Sequence, residues 1–356
     1  MNIEEIDKNF SLPKLDESDV CWINAKSKPF SLHGVFYDES EGCFRRMPKA
    51  VAEKVGDQVA VLSEYTAGGR LRFVTDSPYV AIKCVEPRVG MAWHMTVLNE
   101  FGFSLYADGE FCGVFGPNNL SVLVNDGTHF GFSGMKKFRE RKRRQFELYF
   151  PLYNGVKELH IGVQDGCLLQ SAPEYEKGKN VVFYGSSITQ GGCSSRPGND
   201  YVSLLSRWLG CDIVNLGFSG NAKGELAMAE YIATLNPDVF VMDYDHNSDN
   251  ADTLQATHYP FYERLRQLNP TVKIMMISMP LDLRETQMKE RRDVIKASYR
   301  KARENGDENV VFIDGSALFG RFNRDACTVD GVHPNDYGFY QMAKHIKPKL
   351  ENLLKK

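Results

Sequence analysis

From residue 181 onward, short runs of β-branched and aromatic residues alternate with helix-length segments, and this alternation limits the folds open to the second half of the chain. Apolar runs at 181–184, 212–216, 239–243, 272–278 and 310–314 are followed by helical patterns near 201–209, 226–235, 261–268, 286–305 and 334–354. A strand that returns to its sheet through a helix pairs in parallel by a right-handed crossover. The pattern therefore predicts a parallel sheet with helices on both faces, a three-layer α/β unit. In such sheets the working side chains collect beyond the carboxyl ends of the strands.

Residues 1–170 have a different rhythm. Short β-forming runs at 59–62, 71–74, 80–83 and 103–106 are separated by Gly68-Gly69, Asp76-Ser77-Pro78 and Asp108-Gly109, the punctuation of hairpins. Two later runs, 145–150 in period two and 156–163, flank Asn154-Gly155 as a turn. Repeated short strands predict an all-β sandwich or jelly roll, with helical periodicity only near 48–54. At 356 residues the chain exceeds what one core usually supports. The polar stretch 171–180, SAPEYEKGKN, is the expected boundary, giving a β-sandwich domain over 1–170 and an α/β domain over 171–356.

Charge and cysteine usage exclude several functions. With 43 Lys and Arg against 46 Asp and Glu, the net charge of -3 provides no field for gripping a polyanion, so nucleic acid is not an expected partner. The one basic run, 136–144, reads as a solvated loop or hairpin edge. Eight cysteines without paired spacing argue against a disulfide framework and against zinc. The start, MNIEEIDKNF, lacks the basic and apolar segments of a leader, and no run approaches the ~20 apolar residues of a membrane span. A cytoplasmic protein with no membrane partner is expected, and an exposed sandwich face makes a homodimer an expectation too.

Candidate chemistry lies where the predicted strands end. The first closes on Gly185-Ser186-Ser187, which is also an ordinary strand-ending turn. Far downstream, Asp330-Gly331-Val332-His333-Pro334 offers a carboxylate and an imidazole three residues apart. A serine hydroxyl becomes a nucleophile when a base takes its proton, and the base is oriented by an acid. The second strand ends in a Gly-rich turn, 215–221, with uncovered backbone N–H groups, and the third at Asp245-His246-Asn247, with a side-chain amide. Nucleophile, base, acid and oxyanion donors are the parts of acyl transfer.

Residues 181–345 resemble the SGNH (GDSL-type) hydrolases, a family identified by short sequence blocks. Gly185-Ser186-Ser187-Ile188-Thr189 is similar to the first block and implies Ser187 as nucleophile. Asn215-Leu216-Gly217-Phe218-Ser219-Gly220 is similar to the second and implies Gly220 as an oxyanion donor beside the Ser187 N–H, with Asn247 from the third. Asp330 to Pro334 resembles the last, with His333 as base and Asp330 as its partner. Gly102-Phe103-Ser104-Leu105-Tyr106 resembles the Gly-x-Asp-Leu-Tyr signature of a bacterial subgroup with a leading β-domain. The resemblance implies a flavodoxin-like catalytic domain, an acyl-enzyme mechanism without cofactor or metal, and acetyl esters of sugars as substrates. Four positions depart from the pattern: Ser186 for the acid of Gly-Asp-Ser, Asp245 and Ser248 for the glycine and the acid of Gly-x-Asn-Asp, and Ser104 for the signature's Asp. Two other readings stay open: a lipid esterase or thioesterase using the same triad, and a carbohydrate-binding protein with impaired catalysis.

Other residues admit two readings each. Trp93 is either a platform for a sugar ring or a core residue of the sandwich, and Arg196 either faces the substrate or caps a helix. His246 and His258 with Asp243, Asp245, Asp249 and Asp252 suggest a metal cluster, but a solvated acidic loop explains them better. Cys193 reads as a packing residue, and His94 and His160 as surface or satisfied sandwich residues.

Overall fold

A computed structural model describes residues 18–87, 90–117, 127–175, 180–282 and 286–355. The start of the chain, read above for a leader, lies outside these residues, as do 176–179 of the polar stretch.

The first half is a sandwich of two antiparallel sheets. One runs in the order Val20–Asn24, Glu158–Gln164, Tyr79–Pro87, His129–Lys137. The other runs Leu169–Gln170, Arg70–Thr75, Arg144–Tyr149, Phe103–Ala107, Glu110–Phe115, with Ser31–His33 also pairing Arg70–Thr75. Alternate residues of both sheets, among them Leu71, Phe73, Ile82, Leu105, Phe132, Phe146 and Ile161, share one core. Asp108-Gly109 makes the expected hairpin, because φ of +52° and +85° suits the twist of the strands it joins. Two of the other turn signals behave differently. Arg70–Thr75 and Tyr79–Pro87 lie in opposite sheets, as do Arg144–Tyr149 and Glu158–Gln164. Asp76-Ser77-Pro78 and Asn154-Gly155 therefore carry the chain from one sheet to the other.

The run at 59–62 is helical, in Asp57–Leu62, rather than a strand. It follows the helix Lys49–Val55, which matches the periodicity near 48–54. Val59 is buried while Val61 is 54% exposed, and neither helix packs in the sandwich. Met47, Ala52 and Val59 instead join Val182, Tyr184, Leu216 and Phe218 in a core of the second half.

That half holds a five-stranded sheet, all parallel, in the order Asp212–Gly217, Asn180–Gly185, Val239–Asp243, Lys273–Ile277, Val310–Ile313. In chain order this is 2-1-3-4-5, the flavodoxin-like arrangement. Successive residues of Asn180–Gly185 feed opposite layers. Val182 and Tyr184 pack with the helices Leu226–Thr234, Ala251–Leu268 and Met288–Glu304, and Val181 and Phe183 with Tyr201–Leu209 and Asp336–Lys355. Burial on both faces explains why the strand reads as an unbroken apolar run. Because its neighbours leave it in opposite directions, its carboxyl end opens at the topological switch point. No helix among the described residues is long and apolar enough to cross a membrane.

Arg46 fastens the two halves. Its guanidinium is 2% exposed and donates to the carbonyls of Leu62 (2.6 Å), Asn215 (3.0 Å) and Gly217 (2.8 Å). Arg46→Met would leave these buried acceptors without their donor, a loss of about 3 kcal/mol. Urea unfolding of the variant is expected to show a lower midpoint of that size; an unchanged midpoint would refute the fastening role.

Candidate active site

Ser187 opens a helix of one turn, Ser187–Gln190, directly beyond the strand Asn180–Gly185. The glycines around it are sterically required: a Cβ at Gly185 would overlap Thr189 Oγ1 and the Asp243 carbonyl, and one at Gly217 the backbone of Gln190. Ser186 caps the helix, its Oγ accepting from the N–H of Ile188 at 3.2 Å. The hydroxyl thus performs the capping open to the family's acid at this position. A helix this short does not hold itself. The first half of the chain clamps it. Tyr153 donates its hydroxyl to the Ser187 carbonyl (3.0 Å), and Asn99 Nδ2 donates to the Gly191 (2.9 Å) and Ser194 (3.0 Å) carbonyls.

Ser187 Oγ lies 3.0 Å from His333 Nε2, and His333 Nδ1 lies 2.9 Å from Asp330 Oδ2. The other oxygen of Asp330 accepts the N–H groups of Val332 (3.1 Å) and His333 (2.8 Å). Burial works to raise the Asp330 pKa, but the hydrogen bonds from His333 and the adjacent backbone outweigh it and hold the carboxyl down to about 2. Asp336, opening the last helix, accepts from Ser195 N (2.7 Å) and Oγ (2.6 Å) and from Asn199 Nδ2 (2.8 Å). The loops bearing serine and histidine are therefore joined to each other. The arrangement can activate a hydroxyl and hold an imidazolium.

The oxyanion side is brought to the same rim. Phe218 N donates to the Gly185 carbonyl (2.8 Å), and Ser219 N to Gln190 Oε1 (3.0 Å). Gly220 is exposed, with φ of +69°. Half-buried Asn247 donates its amide to the Phe218 carbonyl at 2.9 Å, seating it on the loop that bears Gly220. Where the family has glycine, Asp245 fixes the turn instead. Its Oδ2 accepts from Met279 N (2.8 Å), while Arg291 Nη1 holds the carbonyls of Asp245 (2.7 Å) and Ser248 (2.8 Å).

Six side chains lie in surroundings that the sequence alone did not settle. Trp93 is 85% exposed, so it is not sandwich core. Its ring is 5.0 Å from His94, whose own ring is 5.2 Å from His333. His94, read from sequence as surface or satisfied sandwich, is thus a wall of the site. No local signal could reveal this, because it depends on where a sandwich loop lands. Arg196 makes no helix-capping bond among those it forms. It donates to Tyr106 Oη (2.8 Å) and stacks 3.8 Å over Phe111, so its charge serves the junction between halves. The acidic group is not a solvated loop: Asp243, Asp245 and His258 are buried, and only Asp249 and Asp252 of its carboxylates are exposed. Asp243 Oδ2 accepts from Tyr201 Oη (2.7 Å) and Thr189 Oγ1 (3.1 Å), under the helix of Ser187. Cys193 is buried as expected, and burial with the charges of Asp330 and Glu100 pushes its thiol up to about 12, which disfavours it as a rival nucleophile.

Comparison with known proteins finds relatives of both halves of the chain. Residues 178–351 match the GDSL-like lipase/acylhydrolase family, and residues 20–169 match the N-terminal module of SGNH-hydrolase-type esterases. The chain belongs to the GDSL-like acylhydrolases. No curated protein sequence matches it. Among solved structures, a protein described as a GDSL-like lipase from Bacteroides ovatus is 28% identical, with a TM-score of 0.83 over 94% of this chain and 98% of its own. A salicylyl-acyltransferase from a tetracycline biosynthetic pathway is 18% identical, with a TM-score of 0.76 over 95% and 98%. The acetyl xylan esterase of the rumen bacterium Butyrivibrio proteoclasticus is 17% identical, with a TM-score of 0.60 over 95% and 99%. These last two share the acylhydrolase fold across both halves.

Burial first, and then the charge of Asp245, push Asp243 up to about 8. In the unfolded chain it ionises near pH ~4. Between about pH 4 and about 8 the folded state therefore binds more protons than the unfolded one, and stability falls as pH rises. Asp243→Asn is expected to flatten that fall, measured as urea midpoints at about pH 5 and 8; an identical slope in both proteins would contradict the assignment.

Proposed function

We propose that this acylhydrolase is a serine esterase that removes small acyl groups, acetyl foremost, from acetylated carbohydrate. The observation that carries the reading is the unbroken hydrogen-bond chain from Ser187 Oγ through His333 to Asp330, at 3.0 and 2.9 Å. In the proposed mechanism His333 takes the serine proton as Oγ attacks the ester carbonyl, and Asp330 fixes the imidazole tautomer. The N–H groups of Ser187 and Gly220 and the Asn247 amide receive the oxyanion. As the C–O bond breaks, His333 gives its proton to the departing sugar oxygen, and water, activated by the same base, then hydrolyses the acyl-enzyme to release the acid. No metal or cofactor takes part in these steps.

Carbohydrate as the leaving alcohol is supported by Trp93, whose exposed indole stands beside the site and suits the C–H face of a pyranose. It is supported as well by relatives of the same fold named as acetyl xylan esterase and as a family two carbohydrate esterase in complex with cellohexaose. Two expectations follow. Ser187→Ala lowers kcat on p-nitrophenyl acetate by at least ~10³-fold, and Asn247→Ala lowers it by ~10²-fold. Retained turnover in Ser187→Ala would refute the nucleophile. Trp93→Ala raises KM for acetylated xylo-oligosaccharides by ~10-fold while leaving p-nitrophenyl acetate nearly unchanged. Mass spectrometry of the oligosaccharides reads the loss of acetyl groups. Preference for p-nitrophenyl octanoate over acetate would favour a lipid esterase, and esters formed with added alcohols would indicate acyl transfer.

A further inference from the structure

We propose that His94, Cys193 and His333 form a binding site for a borderline-soft divalent cation, zinc foremost, and that its occupation switches the esterase off. One ligating atom from each of the three lies within 4.8 Å of the others. They arrive from separate parts of the fold: His94 from a sandwich loop, Cys193 from the turn after the Ser187 helix, His333 from the loop before the last helix. Ligands of tetrahedral zinc, at about 2.0–2.3 Å from the metal, stand roughly 3.3–3.8 Å apart, so side-chain movements of about an ångström close the site. Two imidazoles and a thiolate are a donor set that zinc takes, and one that magnesium and calcium, which demand oxygen, leave empty.

The chemistry of His333 makes such a site inhibitory. Its Nδ1 is held by Asp330 at 2.9 Å, which leaves Nε2 as the coordinating atom. A carboxylate behind the far nitrogen is the support that metal-bound histidines generally have, so Asp330 serves coordination as it serves catalysis. Nε2 is also the atom 3.0 Å from Ser187 Oγ. A lone pair given to the metal is not available to take the serine proton, so coordination and nucleophile activation exclude each other. On binding, Cys193 gives its proton to solvent and the two imidazoles bind neutral. The fourth position then takes water or the Ser187 oxygen. The inhibition rests on the esterase reading above, whereas the coordination does not.

The test uses the full chain after treatment with chelator. Cobalt(II) is titrated in as a spectroscopic substitute for zinc, and zinc is titrated into p-nitrophenyl acetate assays. A thiolate-to-cobalt charge-transfer band is expected in the wild type and in Ser187→Ala, and it is expected to vanish in Cys193→Ala. Cys193→Ala should keep its ester hydrolysis while needing at least ~10-fold more zinc for half inhibition, and His94→Gln should shift zinc inhibition in the same direction. The cobalt band in a chain that hydrolyses no ester would leave the site standing and overturn the esterase. A wild type without the band, or zinc inhibition equal in Cys193→Ala, His94→Gln and wild type, would overturn the site.

Discussion

The meeting of Ser187 and His333 depends on a clamp that reaches Ser187 from the other half of the chain. One turn of helix cannot hold a side chain in place, since its few backbone hydrogen bonds do not offset the order they require. Tyr153, Asn99 and the Leu152 carbonyl, all on the sandwich side, bind the carbonyls of Ser187, Gly191 and Ser194 and the side chain of Gln190. Asn99 is fully buried, so these bonds form away from competing water and are costly to break. Asp336 closes the clamp from the opposite side and ties it to the histidine loop. Serine and imidazole are therefore held at hydrogen-bond distance by groups that take no part in the chemistry.

The same junction explains what the sandwich does. Its Gly102–Tyr106 signature presents Tyr106 to Arg196 and Arg207, whose guanidiniums lie 5.7 and 4.3 Å from the Tyr106 ring, beside Phe111 and Tyr149. Ser104 stands where the family signature carries an acid, and it offers Arg196 only a distant hydroxyl at 3.5 Å. The phenol of Tyr106 and the face of Phe111 take over the orientation of that arginine. A loop of the same half delivers Trp93 and His94 to the rim of the site, so the sandwich both positions Ser187 and builds one wall beside His333.

Much of this was legible in the residues. The parallel sheet was readable because each strand is buried on both faces and each helix follows after a polar break, so both periods are clean; the helix at 201–209 has its expected bounds. The proximity of Ser187 and His333 followed from the rule that sheets of this kind gather their chemistry at one edge. What escaped was long-range. Val59 and its neighbours have a strand's composition but pack helically against a sheet more than 100 residues away in sequence. Asp76-Ser77-Pro78 and Asn154-Gly155 mark reversals, yet nothing in a turn tells whether the chain rejoins its own sheet. Arg196 and His94 were misjudged for the same reason: each finds its partners across the junction, and local sequence carries no record of them. The buried acids Asp243 and Asp245 looked solvated because their partners, Tyr201, Thr189 and Met279, come from three other segments.

The strap of residues around Met47, Ala52 and Val59 bears on how such a gene can be recombined. A crossover in the polar stretch ahead of the parallel sheet looks harmless on paper, yet it would carry this strap away with the donor's sandwich and expose the face of the sheet that carries Val182 and Tyr184. Exchange of the leading module among relatives is consequently constrained: an incoming sandwich is accepted only when its own strap fits the recipient's sheet.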